Sequence, residues 1–245
     1  MPPGELYGEE YFSRDEYLDY KSQYPTLARN FDRYLQLMRQ HGAGEGRLLE
    51  VGSAYGFFLI EARRFFEVEG IDVCAEAIAY GREQFGLNLY CADFREFETT
   101  RPYNVVCMWD TIEHLFHPRE YLARARDLLV EGGHLFLTTG DIGSLLARLR
   151  GRKWRQIHPP THLHYFSQAT IRHLLERTGF RVMGIRRVGT YRDINNMLHG
   201  LSLFGRRQFV RWIAKKLVDR TGQRWAHRHL YVNLFDIMFV GGRKA

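Results

Sequence analysis

Between residues 47 and 139 the chain switches repeatedly between short, continuously apolar runs and stretches with helical spacing. RLLEV (47–51), VEGID (68–72), LNLYC (87–91), YNVVCMW (103–109) and GGHLFLTT (132–139) read as strands, with helices over 55–66, 75–85 and 118–130. Pro118 opens the last helix, where its missing N–H costs nothing. A strand that is apolar on both faces must be covered on both, and helical crossovers leave successive strands parallel. The pattern predicts an α/β fold: a mostly parallel sheet with helices on both faces.

The rest of the chain surrounds that core. Leu27, Phe31, Tyr34, Leu35 and Met38 recur at helical spacing, which predicts a helix over 25–40. After 139 a long connection carries a short helix and the turn IHPPTHLHYF, and Ser167 then caps a helix that stops at Gly179. Strands at 180–189 and 230–242 flank a basic amphipathic stretch at 198–220. The expected organisation is one domain over 1–245. It has a helical N-terminal cap (1–45), a ligand-binding core (46–140), and a substrate-side loop, helix and strand (141–197). A basic helical insertion (198–229) and a closing strand (230–245) follow. A length of 245 residues, 45% of them hydrophobic, suits one full core. No apolar run approaches the roughly 18 residues that span a bilayer. The N-terminus lacks the regions of a secretory signal, and three cysteines without CxxC spacing suit reduced thiols. A cytoplasmic location is expected.

LLEVGSAYGFFL ends the first strand, at the carboxyl edge where open α/β sheets bind ligands. Acids fall at three such strand ends: Glu50, Asp72 and Asp93. An acid closing the second strand can accept hydrogen bonds from both hydroxyls of a ribose. The turn reads GSAYG rather than GxGxxG, and bulky Phe57 and Phe58 follow it. A pyrophosphate needs several amides in a glycine-lined helix start, so a nucleoside without a pyrophosphate fits better.

These segments resemble the ordered motifs of class I S-adenosylmethionine-dependent methyltransferases. LLEVGSAYGFFL is similar to the first motif, GIDVCAEAIAYGRE to the second, CADF to the third and YNVVCMWDTIEHLFHP to the fourth. ARDLLVEGGHLFLTT resembles the helix and strand that follow, so the likeness spans about residues 46–140. HPPTHLHYFSQATIRHLLERTGF and NLFDIMFVGGRK resemble, more weakly, a bacterial group that includes ubiquinone-type O-methyltransferases and sugar-cluster enzymes. The resemblance implies a Rossmann-like sheet of seven strands in the order 3-2-1-4-5-7-6, the last strand antiparallel, and S-adenosylmethionine as cofactor. The implied cofactor residues are Glu50, Gly52, Ser53, Ala54, Gly56, Asp72, Val73, Asp93, Phe94 and Trp109. Gly52 and its neighbours would pass the methionine part, Asp72 would hold the ribose and Asp93 would reach the adenine amino group. Ala54 departs from the commonest family pattern.

Methyl transfer from a sulfonium is an in-line displacement, so the protein positions the acceptor and handles its proton. An oxygen acceptor needs a base or a metal. WDTIEHLFHP presents Asp110, Glu113 and His114, which on a helical turn form a ligand set suited to a divalent cation. Similar ExxEH segments bind metal in ubiquinone-type O-methyltransferases and small-RNA 2′-O-methyltransferases; the alternative is local hydrogen bonding that shapes the site floor. His158, His162 and His164 form a second cluster without a cysteine or carboxylate close in sequence, which argues against zinc. His162 or His164, together with His114, are the candidate acceptor-side bases. Tyr7, Tyr11, Phe12 and Tyr17 could close as a lid or pack on the sheet edge.

The net charge of +7 permits nucleic acid, an anionic membrane surface or an acidic substrate. In 198–220, Leu201, Phe204, Phe209, Trp212, Ile213 and Leu217 share one face, with Arg206, Arg207, Arg211, Lys215, Lys216 and Arg220 around the rest. Such a stretch can pack as a substrate lid or homodimer contact, or lie peripherally on an anionic membrane. Nucleic acid fits less well, because exposed aromatics are not interleaved with the charges. The resemblance implies O-methylation of a small-molecule acceptor such as a sugar, quinone or polyketide. Metal-dependent RNA 2′-O-methylation is the alternative, and a non-catalytic cofactor-binding scaffold is the third.

Overall fold

A computed structural model describes residues 21–193 and 229–245. Its elements are α1 (Tyr24–Gln40), β1 (Arg47–Val51), α2 (Phe57–Ala62), β2 (Glu67–Asp72), α3 (Ala75–Phe85) and β3 (Asn88–Cys91). Then come β4 (Tyr103–Trp109), a 3-10 turn (Ile112–His114), α4 (Pro118–Leu128), β5 (Leu129–Gly140) and α5 (Leu145–Arg150). A second 3-10 turn (Gly151–Lys153), α6 (Gln168–Arg177), β6 (Phe180–Asp193) and β7 (His229–Lys244) complete the fold. The strands form one seven-stranded sheet in the order β3-β2-β1-β4-β5-β7-β6. β1 to β5 run parallel, and β7 lies antiparallel between β5 and β6. This is the Rossmann-like order the resemblance implies. The N-terminal tyrosines and the basic stretch 198–220 lie outside the described residues.

The continuously apolar strands are explained by two cores, one on each face. Leu48, Val105, Cys107, Trp109 and Phe136 point to a layer made by α1, α2 and α3, with Phe31, Tyr34, Leu35, Met38 and Phe58 at its centre. Leu49, Val106, Met108, Leu135 and Leu137 alternate to the other layer, against Leu122 and Leu128 of α4 and Ile171 and Leu175 of α6. Ser167 caps α6 as expected: its Oγ accepts from Thr170 N, and Thr170 Oγ1 accepts from Ser167 N.

Several boundaries differ from the local reading. The helix expected over 55–66 is only Phe57–Ala62, because Gly56 holds a left-handed φ of 75° and Phe66 turns inward to lead β2. The helix expected to reach 130 ends at Leu128, since Leu129 pairs with Tyr103 and begins β5. β6 runs four residues past the expected end at 189. Residues 190–193 pair with 229–232 as a two-stranded ribbon beyond Gly140↔Ile237, the last pair of β5 with β7. Among the described residues no helix is long and apolar enough to cross a membrane.

The connection from β5 to α6 is held by two deeply buried carboxylates, each 1% exposed. Asp236 of β7 accepts from Trp154 Nε1 (2.9 Å) and, bidentately, from Arg155 (3.1 and 2.9 Å). Asp141 accepts from Gly143 N at 2.9 Å and from both Nε and Nη2 of Arg187. Asp236→Ala would leave the buried Trp154 N–H unpaired. It should lower stability by about 2 kcal/mol in urea denaturation.

Candidate functional site

The turn after β1 is shaped by backbone geometry. Gly52 N and Ser53 N both donate to Ile71 O, at 2.8 and 3.1 Å. Gly52 has φ +76°, and a Cβ there would lie 2.6 Å from Thr111 Oγ1, so a side chain is excluded twice over. Ala54 also adopts a left-handed φ of 45°. Its N–H donates to Asp72 Oδ2 at 2.8 Å, while Cys74 N donates to Oδ1 at 2.9 Å. One carboxylate thus ties the first turn to the start of α3. Burial raises the Asp72 carboxyl, and the amides of Cys74 and Ala54 pull it back down.

Above this turn lies a cavity of about 390 Å³ at the carboxyl edge of the sheet. Glu50, Gly52, Ser53, Ala54, Asp72, Val73, Phe94 and Trp109 line it, joined by Leu27, Asn30, Phe31 and Tyr34 of α1 and by Arg95, Asp110, Thr111, His114 and Thr190. Trp109 forms the aromatic back wall, with ring centroids 4.9 Å from Tyr34 and 5.1 Å from Phe58. Three buried polar atoms on this wall, Glu50 Oε2, Ser53 Oγ and Trp109 Nε1, have no hydrogen-bond partner among the described residues. Buried polar groups are ordinarily paired, so these three atoms are the candidates for bonding a ligand in the cavity. Burial, reinforced by Asp72, raises the Glu50 carboxyl well above the usual range.

Two residues implied as cofactor contacts stand elsewhere. Gly56 is not on the cavity wall; its positive φ starts α2, and a Cβ there would meet Leu87 Cδ1 at 2.5 Å. Asp93 is also off the wall, because Arg95 turns back onto it (2.6 Å) and Tyr121 Oη donates to it at 3.2 Å. Arg95 holds the Asp93 carboxyl below its ordinary value, and Arg95 itself lines the cavity.

The floor after β4 departs from the expected helical turn. Asp110 has φ 48°; its N–H donates to Thr138, and its Oδ1 accepts from Thr138 Oγ1 at 3.0 Å. It opens onto the cavity, yet the surrounding protein solvates its carboxyl poorly and raises it. The backbone carbonyl of Glu113 accepts from Leu163 N and His164 N, at 2.9 and 3.1 Å, which docks the histidine loop on the 3-10 turn. Thr161 O lies 2.9 Å from His114 Nδ1. A carbonyl only accepts, so Nδ1 carries the proton and Nε2 the lone pair.

The histidines divide accordingly. His114 lines the cavity; His162 and His164 do not. His162 packs edge-on against His114, with centroids 4.6 Å apart, and His164 lies beside Phe166. The proposed cation set changes as well. Ligand atoms of Glu113, His114 and His162 lie within 4.8 Å of one another, a grouping that could hold a metal, and Asp110 is outside it. Asp110 instead turns to Thr138. Burial, reinforced by Asp110, pushes Glu113 up to about 8, and burial brings His162 down to about 4.

A methyltransferase-domain family profile matches residues 20–184, more than half of the chain. The chain belongs to this methyltransferase family. No curated protein matches it. Among solved structures, magnesium protoporphyrin IX methyltransferase from Synechocystis PCC 6803, with bound S-adenosylhomocysteine, aligns with a TM-score of 0.61. Identity is 13%, with 96% of this chain and 97% of that one covered. The N-methyltransferase NodS from Bradyrhizobium japonicum WM9, also with S-adenosylhomocysteine, aligns at 0.53 with 16% identity over 87% and 86% of the two chains. The [4+2]-cyclase SpnF aligns at 0.56 with 16% identity, over 89% and 80%. The fold therefore serves more than one chemistry, and the acceptor has to be read from the site.

In this methyltransferase, sequence reasoning overlooked the wall supplied by α1. A helix stripe that faces a cavity has the same spacing as one that faces a core, so no local signal marked it. Gly52→Ala should lower stability by about 2 kcal/mol and weaken S-adenosylhomocysteine binding in calorimetry, because Thr111 must move. Ala54→Gly relieves a left-handed alanine and should raise stability by up to about 1 kcal/mol.

Proposed function

We propose that this S-adenosylmethionine-dependent methyltransferase methylates an oxygen of a small, largely apolar acceptor. The observation that carries the cofactor part of this reading is the set of cavity-wall atoms without a hydrogen-bond partner among the described residues. Glu50 Oε2 would accept from the ammonium of the cofactor's methionine end, and Ser53 Oγ and Trp109 Nε1 would donate to its carboxylate. The Asp72 oxygens, each already taking one amide, retain lone pairs for ribose hydroxyls. Val73 and Phe94 offer an apolar slot for an adenine. When bound, the cofactor supplies a methyl group on a positively charged sulfur.

The chain's own residues orient the acceptor and take its proton. Tyr34, Phe31, Trp109 and Leu27 would hold an apolar body and exclude water. His114 is the base at the cavity. Burial lowers its pKa, so it is neutral at physiological pH, and the Thr161 carbonyl fixes the tautomer that leaves Nε2 able to accept a proton. Glu113 and Asp110 stand near the imidazolium that would form. His162 supports the His114 ring through their edge contact.

A second reading shares these residues. Glu113, His114 and His162 could hold a divalent cation, which would take the place of the base in activating an oxygen.

Glu50→Gln and Asp72→Ala should each weaken S-adenosylhomocysteine about tenfold or more in calorimetry, since the first alters the acceptor for the ammonium and the second removes the oxygens that would meet the ribose. With labelled S-adenosylmethionine and a panel of hydroxylated small molecules, amines and RNA, transfer should go to the hydroxyl class. Transfer confined to amines or RNA would refute the proposal. His114→Asn keeps a donor toward Thr161 and should cut kcat about 10²- to 10⁴-fold with cofactor affinity unchanged. Loss of activity on chelation, restored by a divalent metal, would select the second reading.

A further inference from the structure

We infer that α5 and the residues on either side of it form a contact surface for an anionic phospholipid membrane. The argument starts from exposure. Leu145 and Leu149, one helical turn apart on the same face, are 72% and 76% exposed, the highest values among the large apolar residues described. Ile142 and Phe235 extend the patch, at 39% and 61%. They flank the Asp141 N–Asp236 O hydrogen bond of 2.8 Å, which fixes them side by side. Ser144 caps the helix, accepting from Ala147 N at 3.1 Å, so these leucines project from a formed helix.

The surrounding charge says what covers them. Arg148, Arg150, Arg152 and Lys153 are all exposed, and no acidic residue occurs from 142 to 156. None of these four cations forms an ion pair or side-chain hydrogen bond among the described residues. Apolar side chains projecting through a rim of cations match an interface of acyl chains beneath anionic headgroups. A nucleic acid would satisfy the cations and leave the leucines in water, so it fits half of the surface. The chain's charge distribution agrees. The segment 194–228 holds eight arginines and lysines against one aspartate, a net +7 equal to that of the whole chain. The inference is independent of which acceptor the cavity takes.

The test is flotation of the full-length protein with vesicles of phosphatidylcholine, with and without phosphatidylglycerol. The protein should float with the anionic vesicles and stay behind with the neutral ones. Leu145→Glu combined with Leu149→Glu should reduce binding more than about tenfold while melting temperature and S-adenosylhomocysteine affinity hold. Arg150→Glu with Arg152→Glu should do the same and leave the residual binding less sensitive to salt. The inference is overturned if anionic vesicles are not bound, if both double variants bind as the wild type does, or if generic RNA is bound and vesicles are not. It is also overturned if the leucine variant unfolds, which would mean that protein already covers this face.

Discussion

The carboxylate of Asp72 accepts one amide from the turn after β1 and another from the turn after β2. That sharing sets the path of the first turn. Ala54 keeps a left-handed backbone because its N–H has a strong acceptor there, and Gly52 and Ser53 are drawn to Ile71 O beside it. With the turn fixed, Glu50 and Ser53 line the cavity, each with a buried oxygen that has no hydrogen-bond partner among the described residues. A carboxylate that accepts two amides is pre-organised, and a ligand hydroxyl finds it without reordering the loop.

The other end of the cavity depends on contacts between segments far apart in sequence. The histidine loop is held by the backbone carbonyl of Glu113 and by the Thr161–His114 contact. Trp154 and Arg155, at the start of that loop, are anchored on Asp236 of β7. His114 is therefore oriented from the loop while its chain position is set by β4. The end of the cavity at the first turn is built from turns between consecutive strands, and the other end from long-range docking. A family can keep the first and vary the second, which suits neighbours of this fold that include methyltransferases and a cyclase.

Much of the α/β architecture was legible in the chain. The five parallel strands were located from short apolar runs separated by helical stretches, and Ser167 and Gly179 marked the ends of one helix. The ribbon of β6 and β7 was not legible, since its pairing partners lie nearly 40 residues apart and no local pattern sets the register. Of the site, the acids and the glycine turn could be read. That Asp93 would be neutralised by Arg95 could have been suspected from their spacing of two residues. The grouping of Glu113 and His114 with His162 could not, because those segments meet only when the loop folds back over β4.

The sequence by itself determined the parallel strands, their helical cover and the glycine turn with acids at the strand ends, all of which follow from periodicity and from residues close along the chain. Only the tertiary structure decided which of the three candidate histidines lines the cavity, that α1 supplies a wall, and that Glu50, Ser53 and Trp109 line it with buried atoms lacking a partner among the described residues. Those properties depend on side-chain direction and on the distances between separate segments. A hydrophobic or polar pattern specifies which face of an element is buried, but not what meets it there.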